Sequence, residues 1–297
     1  RYQAGESVLV CCNTVGRAQT MYDLLAQFIP KWQANDDDGD LCLLHSRFHL
    51  KDRTAKENWL FRRVGVGQHH GAHRPATVIV ATQVVEVSLN VDFDTLYTDP
   101  APLEALLQRF GRVNRGRGRD ANLRPVHVCR APVGETESKP YDHRLVARAL
   151  EVLPAGVIDE QGVSDLLKLI YTGELRDEWL RDYRKGERDF LHVLEMMEPF
   201  ESADLEREQK FYKTFDGEQV LPATCADDYE AAFRKSGRLA ASEYLVSVSS
   251  GQYWRLRTLK QLRLYDEEGG NWLWIADLPY DAEYGLRFEV QTGEDDA

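Results

Sequence analysis

Short unbroken apolar runs alternate with apolar residues at helical spacing along the first part of the chain. Ser7-Val8-Leu9-Val10-Cys11-Cys12, Leu41-Cys42-Leu43-Leu44 and a run near 77–81 read as strands, with two more near 94–98 and 125–130. After the first strand, Val15, Ala18, Tyr22, Leu25 and Phe28 recur at the spacing of one helix face, and Thr14 is placed to cap that helix. Residues 50–64 predict a second helix with Leu50, Trp59, Leu60 and Val64 as its buried side, and residues 102–109 a third. NDDDGD at 35–40 and GVGQHHGAHRP at 65–75 read as loops. Alternation of this kind predicts an α/β domain over residues 1–140, a parallel sheet with helices on both faces.

The pattern then changes twice. YDHRLVARALEVL, VSDLLKLIY and DFLHVLEMME predict charged helices over 141–208, a helical linker. From 209 to 297 the chain turns to β character. Asp216-Gly217 is the pair of a tight hairpin turn, and YLVSVSS, QYWRLRTL, NWLWIADL and LRFEV carry β-branched and aromatic residues. A smaller, mixed and mainly β C-terminal accessory domain is expected there.

With 297 residues, 43 % of them hydrophobic, the chain is long and apolar enough for two cores and is not a disordered tail. No apolar run reaches the roughly 20 residues that cross a bilayer, so no membrane partner is expected. The chain opens at Arg1 in mid-phrase, as a piece of something longer would. Its five cysteines form no Cys-x-x-Cys pair, which argues for reduced thiols, a cytoplasmic setting and no metal site in this chain.

The net charge of −12 discourages nucleic-acid binding until its distribution is considered. Residues 1–130 hold 17 Lys and Arg against 14 Asp and Glu, while the remainder holds 20 against 35. Arg109, Arg112, Arg115, Arg117 and Arg119 fall within eleven positions. A local patch decides where an anion binds, and total charge does not.

Ligands of a parallel α/β sheet bind at the carboxyl ends of its strands. Polar residues collect there: Asn13 and Thr14 after the first strand, His45, Ser46 and Arg47 after the second, Thr82 and Gln83 after the third, Asp99 after the fourth. Singly, each has a plain structural explanation; Thr14 is as good a helix cap as a ligand, and a lone histidine is more often structural. In ATQVVEVSLNVDFD (81–94), Glu86, Ser88, Asn90, Asp92 and Asp94 interrupt an apolar run that gains nothing from them. In Gln108-Arg109-Phe110-Gly111-Arg112-Val113-Asn114-Arg115, Arg112 and Arg115 are spaced to project to one side of a helix, and Gly111 allows a close backbone approach. Paired guanidiniums suit phosphate oxygens; the competing explanation is a solvated basic helix end.

The combination VLVCCNTVGRAQ, LLHSRFHLKDR, IVATQVVEVSLNVDFD and LLQRFGRVNR resembles, in that order, motifs IV, IVa, V and VI of the second RecA-like domain of superfamily 2 helicases. It is most similar to the CRISPR-associated helicase–nuclease of type I systems, densely over residues 7–115 and more weakly beyond 130. The resemblance implies that Arg112 and Arg115 are catalytic arginine fingers at the ATP γ-phosphate, within a motif VI that includes Gln108 and Gly111. It implies that Asp92 meets the nucleotide's ribose, and that Glu86 and Ser88 lie between the ATP and DNA faces. Thr82 and Gln83, Asn13, Thr14 and Arg17, and His45, Ser46 and Arg47 would hold the backbone of the tracked strand.

No G-x-x-x-x-G-K-[ST] loop and no Asp-Glu-x-His/Asp box occurs in the chain, so the phosphate cradle and the Mg²⁺ ligand are not encoded in it. By resemblance the chain is the C-terminal half of an ATP-dependent 3′→5′ DNA translocase. Its partners would be single-stranded DNA, the missing first RecA-like and HD nuclease domains, and the RNA-guided surveillance complex. ATP and Mg²⁺ would act in the complete protein, and nuclease metal ions only in the HD domain. Another superfamily 2 helicase, acting on DNA or RNA, and a non-catalytic RecA-like docking module are the alternatives.

Overall fold

A computed structural model describes residues 1–34, 38–68, 74–87, 89–115, 123–130, 138–158, 160–195, 217–267 and 271–288. Five parallel strands, β1 (Ser7–Cys11), β2 (Leu41–Leu44), β3 (Thr77–Ala81), β4 (Thr95–Thr98) and β5 (Val126–Val128), form one sheet in the order β2-β3-β1-β4-β5. Alternate residues of β1 feed two different cores. Leu9 and Cys11 pack with Trp59, Leu60 and Val64 of α2 (Leu50–Val64), whereas Val8 and Val10 pack with Ala18 and Tyr22 of α1 (Val15–Leu25). Both faces are thus covered, and that is why the central strands read as continuous apolar runs.

Two helix expectations need correction. The first helix stops at Leu25, and Phe28 lies beyond it, 82 % exposed, in the turn that leads to Pro30. Leu50 is 54 % exposed because it is the first residue after the His49 cap, before the helix reaches the sheet. The third helix, α3 (Leu103–Phe110), buries Leu103, Ala105, Leu106 and Arg109.

The linker region contains α4 (His143–Val152), α5 (Glu160–Ile170) and α6 (Gly173–Glu195). Ala149 of α4 and Leu166 and Ile170 of α5 bury against Leu103 of α3, which ties the linker to the sheet domain. The Asp216-Gly217 turn falls at the edge of the described residues, since Asp216 lies outside them.

The second sheet has the order β7-β6-β9-β8, built from β6 (Glu218–Pro222), β7 (Val246–Val248), β8 (Leu262–Glu267) and β9 (Asn271–Ala276). It is mixed: β6 runs antiparallel to β7 and parallel to β9, and β8 runs antiparallel to β9. Helices α7 (Ala226–Ser236), α8 (Arg238–Ala241) and α9 (Ser250–Thr258) accompany it. QYWRLRTL, expected as a strand, is helix α9. Ser249 and Gln252 form a reciprocal capping box, and Tyr253 and Leu256, at helical spacing, bury in the core of this domain. Of LRFEV, whose last two residues lie outside the described ones, Leu286 is in a strand, within the small antiparallel hairpin of β10 (Tyr280–Asp281) and β11 (Gly285–Leu286). That hairpin is a separate two-stranded sheet and its loop lies against the first domain.

Candidate nucleotide and nucleic-acid interface

Arg109 holds the strand ends together. Its side chain is fully buried, and it donates from Nε to Glu86 (2.7 Å), from Nη1 to the Thr98 hydroxyl (2.8 Å), and from Nη2 to Asn13 Oδ1 (3.1 Å) and the Tyr141 hydroxyl (3.0 Å). A buried guanidinium is tolerated only with partners of this kind, and Glu86 supplies the compensating charge. Asn13 is equally committed. Its amide donates to the Pro100 carbonyl (2.7 Å), its backbone N–H donates to Asp99 (2.9 Å), and its carbonyl accepts from Gln83 (2.8 Å). Thr14 caps α1 by accepting from the Arg17 N–H at 3.3 Å, and Arg17, half exposed, pairs with Asp99 at 2.7 Å.

Arg112 and Arg115 are placed differently. Arg112 donates to the carbonyls of Glu86 (2.5 Å) and Leu89 (2.6 Å), and Arg115 reaches the same Leu89 carbonyl at 3.1 Å. The two guanidiniums therefore converge on one motif V loop. Among the described residues neither guanidinium pairs with a carboxylate; of those nearby, Glu86 is taken by Arg109 and Asp92 by Arg74. Burial holds the Arg112 pKa below the usual arginine range, and the neighbouring Arg115 charge lowers it further. Two like charges held together on backbone carbonyls favour an anion between or beside them. Arg115 is exposed and Arg112 partly so.

Asp92 and Asp94 have internal partners. Asp92 is 6 % exposed; it accepts the Arg115 N–H at 2.8 Å and pairs with Arg74 at 2.5 Å. Together with the bond from the Phe93 N–H to the Arg112 carbonyl (2.8 Å), this fixes motif VI to motif V. Asp94 accepts from the backbone N–H and hydroxyl of Ser7 at 2.9 and 2.8 Å, a staple to the start of β1. The Asp94 carboxylate is thus already occupied. At Gly111 an added Cβ would meet nothing closer than 3.4 Å, so the expected close backbone approach is not found there among the described residues. Gln108 is exposed, and Ser88 lies outside the described residues.

The loop after β2 is covered by the C-terminal hairpin. His45 is fully buried and stacks on Phe48 at 4.5 Å, and its Nδ1 accepts the Arg47 N–H at 3.1 Å. Burial, reinforced by the charges of Arg47 and Lys56, pushes its pKa down to about 3. Arg47 is 6 % exposed, with its guanidinium 4.3 Å from the Phe288 ring centroid, and its carbonyl accepts the Leu286 N–H at 2.9 Å. Ser46 between them is exposed. Lys56 of α2, 1 % exposed, donates to the carbonyls of Leu43 (3.0 Å) and Glu283 (3.3 Å), while Tyr280 donates its hydroxyl to Asp52 at 2.8 Å. Thr82, at the end of β3, is buried.

Comparison with known proteins points to a family. Residues 4–118 match the family described as CRISPR-associated nuclease/helicase Cas3, C-terminal. A CRISPR-associated endonuclease/helicase Cas3 of Escherichia coli K12 is 31 % identical over 255 residues, 84 % of this chain. Over most of its length the chain is similar to Cas3 helicases. It matches the C-terminal half of such proteins and spans 27 % of the length of that curated relative. A T. fusca Cas3–AMPPNP crystal structure covers 96 % of this chain and 39 % of its own, with a TM-score of 0.64 at 21 % identity. A structure described as a CRISPR RNA-guided surveillance complex, pre-nicking, covers 95 % of this chain and 41 % of its own, with a TM-score of 0.56 at 20 % identity. These likenesses show the fold, a RecA-like α/β domain followed by a smaller mixed-sheet domain.

On this Cas3-type scaffold the structure brings Glu86, Asp92, Arg112 and Arg115 into one cluster, with Asn13 linked to it through Arg109 and Gln83 through the Asn13 carbonyl. It sets His45 and Arg47 apart, under the C-terminal hairpin. Arg109, Arg74 and Tyr141 were missed in the sequence. Arg109 had a signal, since it is the one arginine of QRFGRVNR that falls on the apolar face of α3 with Leu103 and Leu106. Arg74 and Tyr141 had none. Among the described residues no group of His, Cys, Asp and Glu could hold a metal ion, and no helix is long and apolar enough to cross a membrane.

Proposed function

We propose that this chain is the C-terminal half of an ATP-dependent 3′→5′ single-stranded DNA translocase that works with a nuclease domain against foreign DNA in a type I CRISPR system. One observation carries the reading: Arg112 and Arg115 converge on the Leu89 carbonyl with no carboxylate of their own among the described residues. They fit the phosphate end of a nucleotide bound from across a domain interface. The sequence holds no G-x-x-x-x-G-K-[ST] loop and no Asp-Glu-x-His/Asp box, so the phosphate cradle and the Mg²⁺ ligand would come from a first RecA-like domain. Bound ATP supplies the phosphoanhydride whose cleavage drives movement. Arg115, the more exposed of the pair, would stabilise the charge that develops on the γ-phosphate, and Arg112 would hold the motif V loop against it. Asp92 fixes the backbone of Arg115, so its contribution comes before any ribose contact.

On the nucleic-acid side, Thr14, Arg17, Ser46 and Gln83 have exposed or half-buried side chains that could meet a phosphate backbone. The buried Asn13, His45, Arg47 and Thr82 would support the loops that carry them. Recruitment by an RNA-guided surveillance complex is supported by the neighbour of that description.

The test is Arg115→Ala in the complete protein. DNA-stimulated ATP hydrolysis should fall by on the order of 10³–10⁵, the range for arginine fingers. Arg115→Lys should restore little, because a point charge lacks the planar fork. Affinity for single-stranded DNA without nucleotide should hardly change. Near-normal hydrolysis in Arg115→Ala would show a solvated helix end and overturn the reading.

A further inference from the structure

We infer that Tyr141 is a positioning residue for motif VI, through which the helical linker sets the placement of the finger arginines. The inference rests on the proposed ATP-site role of Arg112 and Arg115. Four partners of Arg109 (Glu86, Thr98, Asp99 and Asn13) come from the ends of the sheet strands and the turns that follow them. The fifth, Tyr141, comes from the entry to α4. Its ring packs in the cluster formed by Ala101, Ala105 and Leu106, and α4 itself buries Ala149 against Leu103. Burial raises the Tyr141 pKa, against the opposing pull of the Arg109 charge, so the hydroxyl stays neutral and accepts from Arg109.

Glu86 relays the position onward. Its carboxylate is held by Arg109 at 2.7 Å, and its own carbonyl accepts from Arg112 at 2.5 Å. A displacement of the linker that moves the Tyr141 hydroxyl therefore changes where Arg109 holds Glu86, and with it the loop on which Arg112 and Arg115 rest. Phenylalanine at 141 keeps the ring in its cluster and loses the hydroxyl, with its contacts to Arg109 and Gln83.

The test compares Tyr141→Phe with Arg115→Ala in the complete protein. For Tyr141→Phe, kcat of DNA-stimulated hydrolysis should fall about tenfold, the scale of a lost hydrogen bond to a charged group. KM for ATP and the unfolding midpoint should stay near the parent values. On adding a non-hydrolysable ATP analogue, amide exchange in residues 141–153 should change in the parent and not in Tyr141→Phe. A parental kcat in Tyr141→Phe while Arg115→Ala is inactive overturns the inference and leaves the ATP-site reading standing. A kcat loss accompanied by a matching drop in unfolding midpoint marks a structural contact only and overturns it too. An active Arg115→Ala removes the reading and the inference together.

Discussion

Three arginines within seven positions illustrate how much partners decide. Arg109 is buried, charge-paired with Glu86 and committed to the fold; Arg112 and Arg115 rest their guanidiniums on backbone carbonyls. The pair at 112 and 115 stood out in the sequence because two guanidiniums at that spacing suit phosphate oxygens. The sequence could not show that Asp92 and Asp94 are satisfied internally, since Arg74 and Ser7 reach them from distant positions in the chain. His45 makes a residue-scale prediction. Its folded pKa is lowered to about 3 from 6.5, so between those values the unfolded chain binds a proton that the native chain does not. That stability is complete above about pH 6.5 and is lost as pH falls, by up to about 1.4 kcal/mol per pH unit for one such group. His49, whose pKa is also lowered by burial with Asp52 opposing, adds to the same limb. His45→Asn keeps an acceptor for the Arg47 N–H and removes the titration. Urea unfolding of this chain from pH 7 to 4.5 should then show a shallower acid decline than the parent; parallel declines would contradict a buried neutral imidazole.

At the scale of elements, periodicity gave the five-stranded sheet and α2 almost to the residue, because strands covered on both faces and a long amphipathic helix have strong local patterns. It misread α9, where aromatic content outweighed the Ser249–Gln252 capping box that was present in the sequence. The C-terminal hairpin was illegible for another reason: its partners, Asp23, Lys31, Arg47, Asp52 and Lys56, lie more than 200 positions away. Gly285 makes its docking specific. Its φ is +69°, and a Cβ would lie 2.6 Å from the Arg47 carbonyl oxygen and 3.0 Å from His45 Cε1. Gly285→Ala should therefore cost about 1–3 kcal/mol, the range for such backbone strain, and lift the hairpin from the loop after β2. The Leu286 amide, which donates to the Arg47 carbonyl, should exchange much faster in the variant. Unchanged protection at Leu286 would mean that the hairpin is not seated by this contact.

For the whole molecule, charge and chemistry divide along the chain. The first 130 residues are mildly basic and carry the candidate site, while the acidic remainder forms the linker and a domain whose β10–β11 hairpin covers the loop after β2. Motif order made the C-terminal half of a helicase recognisable, because each motif sits at a strand end where the fold requires it. Linker and hairpin contacts stayed hidden because they depend on tertiary proximity. The central claim is that this half supplies arginines to a nucleotide whose phosphate cradle lies elsewhere. It is tested most directly by phosphate release from ATP by this chain alone, with Mg²⁺ and single-stranded DNA. The account predicts release at the rate of a protein-free blank. Turnover well above that rate, tracking the protein through purification, would contradict it.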